Sequence, residues 1–382
     1  MRIQALVAVL ASCAALPLIA QPVAHQPIKV PAAQADAPLK AEEARRTAAE
    51  LAQILDENYV DPAVAKRYAA KLRDQAAAGA YDRIGAAARF AKLLTQDLQA
   101  VSPDNHLQVM LRGAGGPQTV MVKSPGSGGG DAPAAAKAPA SIEEARSLAP
   151  GIGYIRFNEF TGDPRAVAAT AKFMADHADA ETIIIDLRTH RGGGLEEMDV
   201  MLPYLFGQET ALLQMDTRAS VDRASGSPIG GEASLRQIEA PEEVVRREHF
   251  VRPHATEKRL IDARVYLLTS NFTASAAEHF ALALKRTGRA TLIGEKTAGA
   301  GNYGGIRPIG NRFMAFVPVG MTRDPRTGAR WEANGIEPDM PVKAELALVE
   351  ALKRNGVEPA EAQRLSALVH PKGPMRRPAP LS

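Results

Sequence analysis

The sequence predicts a layered α/β protein in which a group of helices precedes a larger domain of alternating strands and helices. Between residues 39 and 103, apolar residues recur at helical spacing in three stripes. Each stripe is narrow, so a helix that carries it has to pack against other elements to bury it. From residue 141 onward, short apolar runs typical of buried strands alternate with further helical stripes, as in α/β domains. With 382 residues and 46% hydrophobic composition, the chain can build one large core and a smaller domain.

Charge and composition exclude several classes of protein. The formal net charge at pH 7 is only +3, although 23% of the residues are charged. The basic residues are scattered, and no stretch interleaves them with aromatic residues, as binding of single-stranded nucleic acid requires. We therefore expect no nucleic-acid partner. No spacing of His, Glu and Cys is typical of a zinc site, so we also expect no metal.

Residues 1–20 have the pattern of a secretory signal segment. Arg2 supplies a positive charge, the residues that follow it up to Ala20 are largely apolar, and the chain then becomes polar and Pro-rich. A membrane-spanning helix needs about 20 apolar residues, so we expect cleavage near Ala20 and export as a periplasmic or secreted protein. No other segment is apolar and long enough to span a bilayer, so we expect no integral membrane span in the mature chain.

Cys13 is the only cysteine and lies inside this segment, so we expect no disulfide in the mature chain. The stretch Leu-Ala-Ser-Cys at residues 10–13 also resembles the lipid-attachment box of a lipoprotein. However, an apolar run continues through Leu16 to Ile19, whereas lipoprotein chains usually turn polar after the cysteine. We therefore favour ordinary export over a lipid anchor at Cys13.

Residues 21–38 are rich in Pro, Ala and Gln and are predicted to be a flexible leader. The helices of residues 39–103 are expected to pack as a small bundle of their own. The first of them ends near Asp61-Pro62, a pair that is also a start signal for the second. The three apolar stripes are Leu51, Ile54, Leu55 and Tyr59; Val64, Tyr68 and Leu72; and Phe90, Leu93, Leu94, Leu98 and Val101.

The larger domain is predicted to span residues 141–370. Residues 104–123 contain strands that join the core, because residues 106–111 alternate between polar and apolar, and residues 124–140 read as a linker. Residues 215–258 are polar, with few apolar anchors, and are predicted to be a long surface excursion. Residues 371–382 are predicted to be a loose tail. The predicted strands are 153–157, 182–187, 265–268, 292–293 and 313–319, and the predicted helices lie around 167–174, 198–205, 280–284 and 344–367.

One loop that follows a predicted buried strand combines charge with glycine. It begins with Asp186-Leu187-Arg188 and ends with three glycines, Gly192 to Gly194, before a helix. Glycines let the backbone turn tightly and leave N–H groups free to face an anion. A simple strand-to-helix turn in which Asp186 pairs with Arg188 explains the same pattern. A nucleotide-phosphate loop does not, because the Gly-Lys-Ser/Thr ending is missing.

A second loop, from Leu268 to Glu278, carries several hydroxyl groups. Ser275 lies at its strand-to-helix junction, where a helix N-terminus can support a developing negative charge. Ser275 and Glu278 also fit a capping box, so the serine can equally be a helix cap. The local pattern alone does not decide which hydroxyl is cap, turn former or nucleophile. The other three hydroxyls belong to Thr269, Ser270 and Thr273.

Six short motifs occur in the order found in the tail-specific, or C-terminal processing, serine peptidase family, and the sequence resembles this family. It is most similar to the branch that contains the tricorn-like core peptidases and the repeats of interphotoreceptor retinoid-binding protein. The motifs extend over most of the chain after the leader. They are Tyr59-Val60-Asp61-Pro62, Asp104-Asn105-His106, Asp186-Leu187-Arg188 with its glycines, Thr273-Ala274-Ser275-Ala276-Ala277-Glu278, Gly294 to Gly299, and Glu332 to Asp339.

The sequence departs from the family pattern in ways that favour the branch with a histidine base. The processing peptidases use a Ser–Lys dyad, but Ala300 stands between two glycines where that lysine is expected. Lys296 lies nearby, although a lysine base has to be desolvated. The interval from His106 to Gly151 is too short for a PDZ module. Asn105 replaces a serine of the tricorn-like site, and the asparagine of the Asp-Leu-Arg loop is a histidine here.

The resemblance implies that Ser275 is the nucleophile and that Glu332 orients and stabilises the site. Histidine suits the general base because its ordinary pKa is near 6.5. His106 matches the family position, and His279 and His190 are the alternatives. An oxyanion hole is expected from the N–H groups of Gly192 or Gly193 together with Ala276.

The family further implies a crotonase-like core of spiralling ββα units, preceded by the helical bundle. The implied reaction is hydrolysis of peptide bonds in a peptide or protein substrate through an acyl-enzyme, with no metal or organic cofactor. Because retinoid-binding relatives hold apolar ligands, a non-catalytic binding or scaffold module on the same fold is the alternative. Ser275, His106 and Glu332 together favour the enzyme, since a pure binding protein needs none of them. The sequence does not predict the oligomeric state.

Overall fold

The computed structural model describes residues 38–112 and 141–376. It is a mixed α/β structure in which the elements are numbered along the chain. The helices are α1 (Ala41–Asn58), α2 (Pro62–Ala77), α3 (Ala87–Val101), α4 (Pro164–Asp176), α5 (Glu196–Leu205), α6 (Ala219–Ser225), α7 (Ala276–Arg286), α8 (Ala347–Arg354) and α9 (Pro359–Leu368). The strands are β1 (Gln108–Leu111), β2 (Ile142–Ala149), β3 (Ile152–Phe157), β4 (Thr182–Asp186), β5 (Thr210–Arg218), β6 (Leu235–Ile238), β7 (Val244–Val251), β8 (Arg264–Thr269), β9 (Thr291–Gly294), β10 (Asn302–Ile309), β11 (Phe313–Arg323) and β12 (Met340–Pro341).

The strands form two six-stranded sheets. The first has the order β1-β11-β5-β7-β6, with β10 also paired to β11, and all its pairs are antiparallel. The second has the order β12-β9-β8-β4-β3-β2 and is parallel except for β2. In this sheet β4 and β8 are neighbours, with Asp186 opposite Leu268. Since both strands end at the same edge, the two loops singled out in the sequence lie side by side.

The three N-terminal helices form where the apolar stripes predict them, but they do not make a core of their own. α1 packs on α2, and α3 packs on α2 and β1. Their apolar residues share one buried cluster with Phe313, Ala315, Val317 and Val319 of β11. The prediction of a separate bundle is therefore wrong in this respect. The apolar stripes of the three helices cover one face of the first sheet, so the helices and this face share a single core.

The prediction of a surface excursion at residues 215–258 is also wrong. This segment completes β5 and contributes β6 and β7, so it supplies much of the first sheet. Its polar composition is explained by ion pairs between strands and their neighbours, such as Asp216 with Arg246 at 2.6 Å and Asp222 with Arg247 at 2.7 Å. Paired charges can occupy a sheet, and simple hydropathy does not reveal the pairing.

The strands predicted near residues 153, 182, 265, 292 and 313, and the helices of the second half, are present with small shifts of their ends. The helix predicted at 344–367 is divided into α8 and α9 around Gly356, whose φ is 78°. The predicted signal segment and linker lie outside the described residues, as do nearly all of the predicted leader and the tail beyond residue 376. Within the described ranges, no helix is long and apolar enough to cross a membrane.

Candidate active site

Ser275 lies at a sharp turn between β8 and α7, directly before the first residue of the helix. Its backbone has φ 58° and ψ −120°, a strained conformation that residues other than glycine rarely adopt. Such a strand-to-helix elbow exposes its central side chain at the helix N-terminus, where the helix dipole favours negative charge. Hydrolases use this arrangement to present a nucleophilic serine.

The other three hydroxyl groups of the loop have structural partners. All three side chains are buried, and each donates to a backbone carbonyl. Ser275, in contrast, is partly exposed and lines a cavity of about 20 Å³. It is therefore the hydroxyl of this loop that a reactant can reach. The three bonds run from Thr269 Oγ1 to Glu295 O (2.9 Å), from Ser270 Oγ to Arg188 O (2.6 Å) and from Thr273 Oγ1 to Leu187 O (2.8 Å).

Glu278 holds the elbow from the protein interior. Its fully buried side chain accepts the backbone N–H of Ser275 at 2.9 Å, as the predicted capping box requires. The same carboxylate accepts three further bonds from the loop of residues 297–300. Burial raises the pKa of Glu278, although the surrounding donors act in the opposite direction. These three donors are Thr297 Oγ1 (2.6 Å), Gly299 N (2.7 Å) and Ala300 N (2.8 Å).

Ala300 stands where the resemblance expects a catalytic lysine. It is 3% exposed and lines the same cavity as Ser275. The lysines nearby in the sequence, Lys285 and Lys296, pair with carboxylates at 2.9 and 2.8 Å, and their side chains are 30% and 51% exposed. A lysine that serves as a base has to be desolvated to lose its proton near neutral pH. Neither lysine has that environment.

Glu332 is held by backbone N–H groups on both of its oxygens. Oε1 accepts from Asn105 N at 2.7 Å, and Oε2 accepts from Gly301 N at 2.7 Å and Asn302 N at 2.8 Å. Burial alone would raise the pKa of this carboxyl group, but His106 and the N–H donors hold the pKa below its usual range. The arrangement therefore stabilises the ionised carboxylate.

His106 lies beside Glu332. The distance from His106 Nδ1 to Glu332 Oε2 is 3.9 Å, longer than a hydrogen bond, and Nδ1 has no hydrogen-bond partner among the described residues. The ring stacks on Phe316, with 5.4 Å between the ring centroids. Catalytic hydrogen bonds are often long in unliganded enzymes and shorten when substrate binds. The two side chains can thus act as a histidine–carboxylate pair.

Asp104 is a second carboxylate next to this pair, and it is fully buried. Burial, and then the charge of Glu332, raise the pKa of Asp104. Ligand atoms of Asp104, His106 and Glu332 lie within 4.8 Å of one another, as in a candidate cation site. However, Asp104 already accepts from Tyr59 O–H, from Asn302 Nδ2 and from two backbone N–H groups, each at 2.8 to 3.1 Å. Because donors also occupy Glu332, the cluster serves best as a hydrogen-bonded support for His106.

One loop joins the serine to the histidine–carboxylate pair. Residues 300–302 line the cavity beside Ser275, and the last two of them donate their N–H groups to Glu332. Asn105 Nδ2 donates to the carbonyls of residues 298 and 299 at 3.0 and 2.7 Å, which anchors the segment that carries His106 on this loop. Ser275, Glu332 and Asn105, the residue before His106, therefore all lie against residues 298–302, although His106 itself is not among the residues that line the cavity.

The predicted oxyanion donors differ in their availability. Gly192 and Gly193 have φ values of 123° and 127°, which only glycine adopts readily. The N–H of Gly192 donates to Nδ1 of His190 at 3.0 Å. In the part of the chain that the structure describes, no acceptor is found for the N–H of Gly193 or for that of Ala276 at the start of α7. Of the two glycines, Gly193 is therefore the one whose N–H is available to a substrate.

The two alternative histidines have other surroundings than His106. His190 is fully buried, and burial, followed by Arg191, lowers its pKa to about 3, which suits a structural acceptor for the glycine loop. His279 lies one helical turn after Ser275 and lines the same cavity. Its Nε2 is 2.8 Å from Nδ1 of His249, a residue to which the sequence pattern assigned no role. Burial, and then His249, lower the pKa of His279 well below its usual value.

Comparison with family models places the chain in a known family. Residues 151–342 match the model of peptidase family S41, and residues 39–148 match the model of the N-terminal domain of peptidase S41 in eukaryotic IRBP. The protein therefore belongs to peptidase family S41, as the six motifs implied. The two matched segments are separated by residues 149 and 150.

The chain is similar to carboxyl-terminal-processing proteases. It is 30% identical over 150 residues to one from Picosynechococcus sp., which covers 39% of this chain and 29% of that protein. It is 29% identical over 188 residues to the chloroplastic carboxyl-terminal-processing peptidase 1 of Arabidopsis thaliana, which covers 49% of this chain and 33% of that protein. The matched segments thus span about a third of these relatives' lengths. The solved structure of a photosystem II D1 C-terminal processing protease shares the fold, with a TM-score of 0.51, 15% identity and coverage of 84% of this chain and 98% of that one.

Proposed function

We propose that this protein is an exported serine peptidase that hydrolyses peptide bonds in a peptide or protein substrate through an acyl-enzyme intermediate. Ser275 is the nucleophile, His106 is the general base, and Glu332 is its acidic partner. The N–H groups of Gly193 and Ala276 form the oxyanion hole. The core is proposed to be crotonase-like, as the family implies. Export rests on the signal pattern of residues 1–20.

The observation that carries the proposal is the backbone of Ser275. A non-glycine residue at φ 58° and ψ −120° costs on the order of 1–3 kcal/mol, and such strain persists where the surrounding structure enforces it. Here Glu278 enforces it through the Ser275 N–H, although a helix cap needs no strained residue. The unpaired N–H of Ala276 then lies next to the serine in the chain. Strain and a free donor at one turn favour a nucleophile over a simple cap.

The proposed reaction follows from these groups. His106 takes the proton of Ser275 Oγ as the oxygen attacks the scissile carbonyl carbon, and the two N–H groups stabilise the oxyanion. Glu332, which backbone donors keep ionised, stabilises the imidazolium that forms. His106 then gives the proton to the leaving amine, and water attacks the acyl-enzyme in a second cycle. This requires the imidazole to come within about 3.2 Å of Ser275 Oγ when substrate is bound.

The alternative of a binding module for apolar ligands receives no support from the cavity beside Ser275. Its volume is about 20 Å³, whereas pockets for drug-sized ligands measure roughly 300–1,000 Å³. A space of this size accepts a small group of a larger substrate that lies across the surface. The names of the similar proteases favour a substrate that is processed at its carboxyl terminus.

Labelling with a fluorophosphonate tests the proposed function. The mature protein should be labelled at Ser275, as mapped by mass spectrometry, because the reagent reacts with an activated serine next to an oxyanion hole. Ser275→Ala is the matched control and should not be labelled. A well-folded wild-type protein that remains unlabelled, and that hydrolyses no peptide, would overturn the proposal.

A further inference from the structure

Three side chains form a hydrogen-bonded chain that ends at the cavity beside Ser275. His279 Nε2 lies 2.8 Å from His249 Nδ1, and His249 Nε2 lies 2.8 Å from Asp199 Oδ1. The other oxygen of Asp199 accepts from Ser234 Oγ at 2.5 Å. The residues come from α5, β7 and α7, and both histidines are buried, with exposures of 0% and 3%. The proposed mechanism uses none of them, so the chain needs another explanation.

When both rings are neutral, the order of donors and acceptors along these three side chains follows from the carboxylate. A carboxylate only accepts, so His249 carries its proton on Nε2. A neutral imidazole has one N–H, which leaves Nδ1 of His249 as an acceptor for the Nε2–H of His279. His279 is then unprotonated at Nδ1, its remaining ring nitrogen. His279 lines the cavity, and no hydrogen-bond partner of its Nδ1 is found among the described residues, so this nitrogen is available to accept a bond from a ligand.

Trp331 carries a second polar group without a partner at the wall of this cavity. It lines the same cavity, is 4% exposed, and its indole Nε1 has no hydrogen-bond partner among the described residues. The ring packs against Gly301, since a Cβ on that glycine would lie 3.1 Å from Trp331 Cε2. A buried N–H without a partner is costly in a folded protein unless a ligand satisfies it. A neutral acceptor in a largely apolar cavity suits the N–H of a peptide bond.

We propose that Asp199 and His249 fix the tautomer of His279, so that its unprotonated Nδ1 accepts a hydrogen bond from an N–H of the peptide substrate beside Ser275. His279 is then a substrate-binding residue, and Asp199 and His249 are positioning residues that act through it. The burial that lowers the pKa of His279 keeps the ring neutral, which suits an acceptor better than a base that has to hold a proton. The substrate role rests on the proposed peptidase function, whereas the tautomer does not.

Nitrogen NMR of ¹⁵N-histidine-labelled full-length protein tests the tautomer without any assay of activity. The His279 signals are assigned by their loss in His279→Gln. In the wild type, Nδ1 of His279 should resonate in the range of an unprotonated ring nitrogen and Nε2 in the range of a protonated one. The opposite pattern, or exchange between both, would overturn the proposal. Because the pattern is read from the wild type, it decides the question even if Asp199→Asn fails to fold.

Asp199→Asn should reverse the direction of the hydrogen bonds along these three side chains. The amide can donate to His249 Nε2, so that His249 carries its proton on Nδ1 and donates to His279 Nε2. His279 is then protonated on Nδ1. We expect an increase in KM of about tenfold for a peptide substrate, equivalent to about 1.4 kcal/mol, with kcat changed less than about threefold. Asp222→Asn is the matched control. Asp222 pairs with Arg247, which lies on the same strand as His249, but it has no hydrogen bond to Asp199, His249 or His279. It should leave both the His279 spectrum and KM unchanged.

Fluorophosphonate labelling separates this proposal from the proposed function. Labelling needs the nucleophile and its base but no substrate N–H, so Asp199→Asn should be labelled at Ser275 at nearly the wild-type rate. A loss of labelling as large as that of His106→Ala would show that the chain serves as the base, and would overturn the binding role. Absence of both labelling and peptide hydrolysis in the wild type would overturn the peptidase function, while the wild-type spectrum would still test the tautomer.

Discussion

His190 should make the stability of this protein sensitive to acid. Its ring is fully buried, and its pKa falls from 6.5 to about 3, first because of burial and then because of Arg191. The unfolded chain binds a proton on this residue below about pH 6.5, whereas the folded protein does so only near pH 3. Stability is therefore lost as the pH falls through this window, by up to about 1.4 kcal/mol per pH unit. At pH 4.5, two units below the unfolded value, the loss amounts to roughly 2.7 kcal/mol.

The substitution His190→Asn tests this predicted loss of stability. Asparagine is the residue that the family motif has at this position, and its Oδ1 can accept the Gly192 N–H that His190 Nδ1 accepts now. Because asparagine does not titrate, the free energy of unfolding of the variant should fall by roughly 2.7 kcal/mol less than that of the wild type between pH 7 and pH 4.5. Urea denaturation followed by circular dichroism at several pH values measures both slopes. His279 is present in both proteins, so its contribution cancels.

The smaller side chain of asparagine lowers the free energy of unfolding of the variant by the same amount at every pH. Comparing the two pH dependences, rather than the two stabilities, therefore removes this effect. His370→Asn is the matched control, since His370 is exposed on the surface and should leave the slope unchanged. Parallel pH dependences for the wild type and His190→Asn would refute the reasoning. They would mean that His190 is accessible to protons in the folded protein and that the glycine loop is more open than its buried contacts indicate.

Four further outcomes are expected. Ser275→Ala should abolish peptide hydrolysis while circular dichroism shows an intact fold, and full activity would reject the nucleophile. His106→Ala should fall to the same residual rate, because members of one catalytic unit are not additive; a fully active variant would return the base to another histidine. Lys285→Ala and Lys296→Ala should each keep kcat/KM within about tenfold, and a thousandfold loss, roughly 4 kcal/mol, would revive a Ser–Lys mechanism. Glu278→Gln should lower the free energy of unfolding by about 3 kcal/mol, since an amide leaves donors unpaired, and thermal denaturation close to the wild type would contradict this.

The second sheet could be predicted from the sequence because its strands are buried on both faces. Runs such as residues 182–187 are apolar at nearly every position, and no surface helix has that pattern. The loops that follow β4 and β8 were located for the same reason. The first sheet was largely missed, because β5, β6 and β7 carry charged residues whose partners lie on other strands. A sequence gives the charges of such a sheet but not their pairing.

The candidate site was predicted from short motifs rather than from periodicity, so residues of the site that lie outside these motifs could not be predicted. Ser275, His106 and Glu332 each lie in a recognisable short motif, although none of these residues is marked by hydropathy. Asp199 and His249 belong to no motif, and their connection to His279 exists only after three elements have packed together. The capping-box pattern did indicate Glu278, but only as the acceptor for the N–H of Ser275. Its three bonds to residues 297–300 depend on tertiary structure.

Ala300, at the position where the resemblance expects the dyad lysine, contributes a backbone N–H but no side-chain base beside Ser275. A lysine at this position would lie in the cavity that Ser275 lines, beside the buried carboxylate of Glu278. In this protein the backbone N–H groups of residues 299 and 300 bind Glu278 instead, and those of the next two residues bind Glu332. The loop therefore supports one carboxylate at Ser275 and one beside His106, the two supports that the proposed serine–histidine–glutamate site requires.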